Sequence, residues 1–317
     1  MPMNKEHHTA IRKQACVCCL SASISQSIAL LSTFLSQREF QTQAATTHFY
    51  SCNACGYKWS ERGLTDEEAV RLYSGYRGED YFQERHQYEP WYSRKLNDGI
   101  GAEGDMSLRR KTLFEVLAIG KVNIHALNDV ADHGGDRGQM LLDFKNATKM
   151  VYDVSGVALE DGVAPIVKIE DKLNSFDLVL TCHVLEHLNA PLEGLQEAIS
   201  LAKSGGYVYI ELPFESWSGP WQPKFQQKLI HWLIQRPQLL MWADFIFTGM
   251  RIKLKWIPPM GFNVIREHLQ YFSKNSITAL MKRCNLEILH IEIKDNCLIA
   301  LGKKIETDYN NLGYEIK

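Results

Sequence analysis

Short apolar runs recur through the middle of the chain, and each stops on polar or glycine residues before a segment with helical periodicity. The first runs from about Ala126 to Ala131 and delivers Asp132, followed by His133-Gly134-Gly135-Asp136-Arg137-Gly138. Met150-Val151-Tyr152 ends on Asp153, Phe176 to Thr181 runs into Cys182-His183, and Tyr207 to Ile210 into Glu211. Such alternation predicts a parallel sheet with helices on its faces, whose ligand lies beyond the carboxyl ends of the strands. Val163 to Ile169 contains Pro165 and reads poorly as a central strand. Helices are expected over Ser107–Ile119 and Ile277–Cys284, the second capped by Ser273 or Asn275. Two closing strands are expected over Leu286–Ile293 and Cys297–Gly302.

Four motifs occur in order: Asp132 with its glycine loop, Asp153 about 20 residues on, Phe176-Asp177-Leu178-Val179, and Gly205-Gly206 before the last core strand. Together they resemble the class I S-adenosylmethionine (SAM)-dependent methyltransferases over roughly residues 111–302. The fold expected is α/β: a Rossmann-like, doubly wound, mostly parallel sheet. The resemblance implies a SAM site at Asp132, Gly134, Gly135, Asp136, Gly138 and Asp153. Glu170 and Asp171 follow on the adenine side, with Thr181 and Cys182 at the fourth strand. Where the family's pattern is acidic-x-G-x-G-x-G, this chain has Asp136 for the middle glycine, with Gly135 beside it. The residues agree with that assignment: glycine lets backbone pass close to a ligand, and a carboxylate at Asp153 can accept both ribose hydroxyls. A helix beginning near Gly138 is expected to aim free N–H groups at the ligand's carboxylate end.

Of eight cysteines, five precede residue 56, and Cys16-x-x-Cys19 and Cys52-x-x-Cys55-Gly56 form two knuckles. Two residues between thiolates let both sulfurs meet one tetrahedral ion. The clustering favours a metal site in a reducing, cytoplasmic setting over a disulfide framework. Four thiolates leave no open position, so the expected Zn2+ is structural. Cys18 is a spare. Residues 1–64 are thus expected to form a zinc-ribbon-like module, with a short helix around Ile28–Leu35 between the knuckles. This layout resembles the zinc-binding domain that precedes the methyltransferase domain in some sugar-modifying enzymes.

Residues 65–106 are expected to be a helical, aromatic connector, opened by Thr65 as N-cap with acidic residues behind it. Its tyrosines line a polar ligand pocket or form a packing collar. Gly99-x-Gly101-x-x-Gly104 spells a dinucleotide fingerprint but follows a helix-like stretch, not a strand, and is read as a loop. The methyltransferase domain is expected over 107–303, with a polar tail at 304–317. Within it, residues 216–261 hold five of the seven tryptophans. Two helices, Leu229–Leu240 and Met241–Leu254, are expected there, as a packed pair, an acceptor-site lid or a membrane-surface contact.

On the acceptor side His183, Glu211 and His268 are the catalytic candidates, with His268 first as a general base. His183 and His187, four apart, are expected on one helical face with Glu186 turned away. Two such histidines can chelate a metal, but neither an H-E-x-x-H pattern nor a nearby third ligand supports it. Net charge is −2, which gives no basic surface for a nucleic-acid backbone. No run of 18 apolar residues exists, and no signal peptide is read at the amino terminus. The function expected is SAM-dependent methyl transfer to a small-molecule acceptor, and the zinc-plus-methyltransferase likeness points to a sugar or nucleotide-linked sugar of a polysaccharide pathway. An RNA methyltransferase and a non-catalytic binding protein with the same core are the rivals.

Overall fold

A computed structural model describes residues 15–41, 46–76, 78–218 and 223–305. Trp221, the first fourteen residues and most of the expected polar tail lie outside them. Two sheets organise the described residues. The larger has strands β4 (Asp129–His133), β5 (Thr148–Tyr152), β6 (Val163–Pro165), β7 (Phe176–Cys182), β8 (Ala202–Pro213), β11 (Leu286–Lys294) and β12 (Cys297–Lys304), in the order β11-β12-β8-β7-β4-β5-β6. β8, β7, β4, β5 and β6 run parallel, and β12 lies antiparallel between β8 and β11. From β4 the chain winds outward through β5 and β6, then returns to β4's other side as β7 and β8. The switch point therefore lies between β4 and β7, where open α/β sheets bind ligands. Pro165 costs β6 little because this strand is at the edge.

Register sets the site. Asp132 pairs with Val151 and Leu180, and Cys182 with Glu211, so the polar ends of four strands share one rim. Asp177, at the opposite end, accepts the Asn128 and Asp129 N–H groups and the Lys203 ammonium. It ties the strand entrances together rather than facing the ligand rim.

The second sheet has β1 (Ile24–Leu31), β2 (Thr46–Cys52), β3 (Lys58–Ser60), β9 (Asn263–Ile265) and β10 (Gln270–Tyr271), in the order β10-β3-β2-β1-β9. Of the helix expected at Ile28–Leu35, residues 28–31 are instead the end of β1, and only residues 33–35 are helical. The strand's apolar residues are buried between β2 and β9, and Ser32 then caps a short helix, α1 (Thr33–Arg38). A short apolar run does not distinguish an interior strand from a helix. Two of the sheet's strands come from residues 263–271, so the amino-terminal stretch is built into the chain's far end. Cys16, Cys52, Cys55, Tyr57 and Trp59 share one core with Val179, Leu185, Phe272 and Ile277.

The connector forms α2 (Asp66–Tyr73), α3 (Glu79–Tyr88) and α4 (Arg94–Gly99). Thr65 and Glu68 exchange hydrogen bonds at its start, a capping box. Tyr81, Phe82 and Tyr92 pack with Phe34 and Trp217 as a collar. Arg85 on α3 bonds Glu89 and Glu267, while Arg266 bonds Glu89 and Asp244. These buried charges are paired throughout, as burial requires. α5 (Glu103–Ile119) starts four residues earlier than expected, α6 (Pro191–Leu201) leads into β8, and α9 (Lys274–Arg283) is capped by Ser273. The insert forms α7 (Pro223–Ile234) and α8 (Pro237–Leu254), and Pro237 starts the second helix rather than interrupting a longer one.

Candidate active site

The loop after β4 turns on left-handed positions at Gly134, Asp136 and Gly138 (φ +77, +51 and +81°). A side chain at Gly138 would be strained and would meet Val151 and Val163, and a Cβ at Gly135 would run into the Asp132 carboxyl. Only glycine lets the loop fold down over that carboxylate. Asp136 takes its left-handed conformation with its N–H bonded to Asp153 Oδ2 at 2.9 Å; Ser155 N–H donates to Oδ1 at 2.7 Å. Asp153 thus joins the ends of β4 and β5. The helix expected near Gly138 is a single 3-10 turn, Gln139–Leu141. Gly138 is its left-handed cap.

Asp132 is buried, and its Oδ1 accepts no hydrogen bond from the described residues. Burial pushes this carboxyl up to about 7, offset in part by Arg109 and His133. The folded state therefore holds the proton more tightly than the unfolded chain, whose aspartate titrates near ~4. This contribution to stability is complete below about pH 4 and is lost as pH rises to about 7. Asp132→Asn is expected to gain on the wild type by up to ~4 kcal/mol as pH rises from about 4 to about 7. Parallel denaturant melts check this, and a pH-independent difference contradicts it.

Across the switch point, His183 has φ +57° and Nε2 3.1 Å from Glu211 Oε1. Arg109 Nε donates to the same oxygen at 2.7 Å, and the Tyr209 hydroxyl to the other at 3.0 Å. Glu211 is buried. Although burial opposes its charge, the bonds from His183 and Arg109 hold the carboxyl down to about 2. Burial likewise opposes a charge on His183, but its contacts with Cys297, Glu186 and Glu211 raise it well above the ordinary histidine range. Thr181 and Cys182 are buried at the end of β7, and the Thr181 hydroxyl has no partner among the described residues. Glu170 and Asp171 sit on a 3-10 turn, Ile169–Lys172, with exposed side chains beyond the edge strand.

Residues 183–190 form turns rather than the first turn of a helix, and α6 begins only at Pro191. Glu186 is therefore not turned away: its Oε1 lies 3.3 Å from His183 Nδ1 and 3.7 Å from His187 Nε2. His187 Nδ1 lies 2.9 Å from the Tyr73 hydroxyl and 3.0 Å from the Glu267 carbonyl oxygen. His268 stands beside His187, ring centroids 5.0 Å apart, with Nδ1 3.1 Å from Glu215 Oε1. Glu215 also pairs with Arg251 at 2.8 Å, and burial's penalty on its charge is overcome by Arg251 and His268, which hold it down to about 2. Glu215, Lys58, Phe214, Tyr271, Ser273 and Lys274 line a cavity of about 250 Å³.

Sequence reasoning did not find Arg109, Tyr209 or Glu215 as site residues, and offered Tyr73 only as one of the connector's tyrosines. Arg109 lies 102 positions from its partner on a helix before the first motif, so no local spacing reveals it.

The four knuckle cysteines converge. Cys16 and Cys55 sulfurs are 3.6 Å apart and those of Cys19 and Cys52 3.5 Å, close to the ~3.8 Å edge of a tetrahedron with ~2.3 Å metal–sulfur bonds. All four lie within 4.8 Å of one another, so the donor set fits Zn2+. Cys18 is buried in the same core but is not one of the four.

A family model described as a methyltransferase domain matches residues 107–291. No curated protein matches the sequence. Among solved structures, a Burkholderia thailandensis 1,6-didemethyltoxoflavin-N1-methyltransferase with bound 1,6-didemethyltoxoflavin and S-adenosylhomocysteine is 13% identical, with a TM-score of 0.46 over 80% of this chain and 97% of that one. An N-methyltransferase from Bradyrhizobium japonicum is 13% identical, with a TM-score of 0.37 over 65% of this chain and 99% of that one. The family match spans more than half of the chain and takes in every strand from β4 to β8, the glycine loop and the rim described above, and on that match the protein belongs to the methyltransferase domain family.

Proposed function

We propose that the protein transfers a methyl group from SAM to a small-molecule acceptor at the rim between β4 and β7. The observation that carries this reading is the pairing of Asp132 and Asp153 under a glycine loop at the switch point. A dinucleotide brings a pyrophosphate and asks for a helix end with free N–H groups. Here a 3-10 turn and two carboxylates stand in that place, which suits a nucleoside carrying positive charge. Asp153 would hold the ribose hydroxyls, and Asp132 would sit beneath the loop facing the amino-acid portion. SAM supplies an electrophilic methyl carbon. The protein's share is to orient the acceptor and exclude water.

The acceptor proposed is sugar-type. The cavity beside Glu215 combines Lys58, Ser273 and Lys274 with Tyr271 and Phe272, a mixture of charge, hydroxyl and ring faces that suits a polyhydroxylated molecule. His268, with Nδ1 held by Glu215, keeps Nε2 for the acceptor side. His183 has both nitrogens facing carboxylates and shapes the wall. The test is release of S-adenosylhomocysteine from SAM with a panel of nucleotide-linked sugars. Turnover with one of them supports the reading; turnover only with RNA replaces it. Zn2+ at Cys16, Cys19, Cys52 and Cys55 is proposed as structural.

A lipid surface is proposed as the partner of the insert. Trp232, Leu239, Trp242, Phe245, Ile246, Ile252 and Leu254 on α7 and α8 are exposed. The exposed charges beside them, Lys228, Arg236 and Lys253, are basic, and the acidic Asp244 is buried against Arg266. Among the described residues no helix is long and apolar enough to cross a membrane, so contact would be interfacial. Cosedimentation with phosphatidylserine vesicles is expected, weaker with phosphatidylcholine alone by ~1 kcal/mol per basic contact. Equal failure with both vesicles at low salt removes the proposal.

A further inference from the structure

We infer that Glu186, His187 and His268 form a second metal site, for a divalent transition-metal ion, separate from the four cysteines. One ligand atom from each lies within 4.8 Å of the others. The tautomers follow from the partners. A carbonyl oxygen only accepts, so the bond between His187 Nδ1 and Glu267 O requires the proton on Nδ1. Glu215, an anion paired with Arg251, likewise takes the Nδ1 proton of His268. In its neutral form each ring then has Nε2 as its lone-pair atom. Glu186 is buried, and neither of its carboxylate oxygens accepts a hydrogen bond from the described residues. The contacts to His183 and His187 are ion-pair distances without hydrogen-bonding geometry.

His183 balances the Glu186 charge on one side only; toward His187 and His268 the buried carboxylate faces two further imidazole nitrogens, an arrangement that favours a cation among them. Metal-bound histidines commonly donate their other ring N–H to a carbonyl or carboxylate, which fixes the ring and raises its basicity. Both rings have such a partner here. Two imidazoles and a carboxylate suit zinc, iron or manganese in the divalent state, and three protein ligands leave positions open to an oxygen ligand. Because Glu215 both holds His268 and lines the cavity, the ion would lie next to the acceptor region. That catalytic role rests on the methyl-transfer reading, and His268 would then act through the ion. The binding claim does not depend on it.

The test is zinc counting on the full chain, stripped with chelator, reloaded with Zn2+ and dialysed, with folding followed by circular dichroism. The wild type is expected to hold one zinc more per chain than Glu186→Gln or His268→Gln. Glu215→Ala, which removes the His268 ring's support and also Arg251's partner, is expected to weaken that zinc by ~10–100-fold where circular dichroism shows the fold retained. His268 is only partly buried, so His268→Gln keeps the comparison decisive if Glu186→Gln fails to fold. Equal zinc content in the wild type and folded His268→Gln overturns the inference. Since the readout is metal content, an absence of methyl transfer leaves this test intact, and the reverse also holds.

Discussion

Replacing Cys52 by Ser is expected to remove one zinc per chain and to open the smaller sheet. Structural zinc contributes on the order of 10 kcal/mol to small zinc domains. Here the cysteines sit in a shared core, so part of the fold should survive their loss. The topology says which part fails. β1 pairs with β9, β3 pairs with β10, the Ser273 hydroxyl donates to the Cys55 carbonyl at 2.5 Å, and Arg283 donates to the Val17 carbonyl. Loss of amide-exchange protection should therefore appear both in residues 24–60 and in residues 263–271, more than 200 positions away. β4, β5 and β7 should stay protected, and SAM binding should be retained. Protection lost only before residue 65 would contradict the shared sheet, and unchanged zinc would contradict the cysteine site.

Asp153→Ala is expected to weaken binding of S-adenosylhomocysteine by ~2–4 kcal/mol, a factor of about 30 to 1,000. Two effects act together. The carboxylate would accept the ribose hydroxyls, and it also anchors the Asp136 and Ser155 N–H groups. Asp153→Asn separates them: its amide oxygen can hold one N–H and keep the loop, while one acceptor for the ribose is lost. An intermediate affinity for Asn, measured by equilibrium dialysis, is the expected result. Wild-type affinity in both variants would remove Asp153 from the ligand site.

The parallel half of the large sheet was legible because each strand's apolar run ends on a residue with a chemical reason to be there. Asp132, Asp153, Cys182 and Glu211 do fall on one rim, as the pattern of runs implied. Legibility ended where a structure depends on pairing rather than on local pattern. β1 read as a helix because Ile28 to Leu31 is a continuous apolar run, and only the strands on either side of it make it a strand. β9 and β10 are three and two residues long, too short to show a period. The helix assumed to follow Gly138 gave way to a 3-10 turn because Gly138 itself is left-handed.

The acceptor side followed the same rule. His183, Glu186 and His187 were placed on a helix by spacing, but the segment is a turn, and the turn swings Glu186 between the two rings. The third member, His268, is 81 positions beyond His187 and is carried there by the segment between β9 and β10. No sequence window contains that cluster. The cysteine knuckles, by contrast, were legible because two thiols two residues apart can meet one ion wherever the chain goes next.

Calorimetric titration of SAM into the 317-residue chain tests the methyl-donor site most directly. Saturable binding of one SAM per chain is expected, lost or strongly weakened in Asp153→Ala. Titration without saturable binding, in a protein whose large sheet is folded by amide exchange, would contradict it.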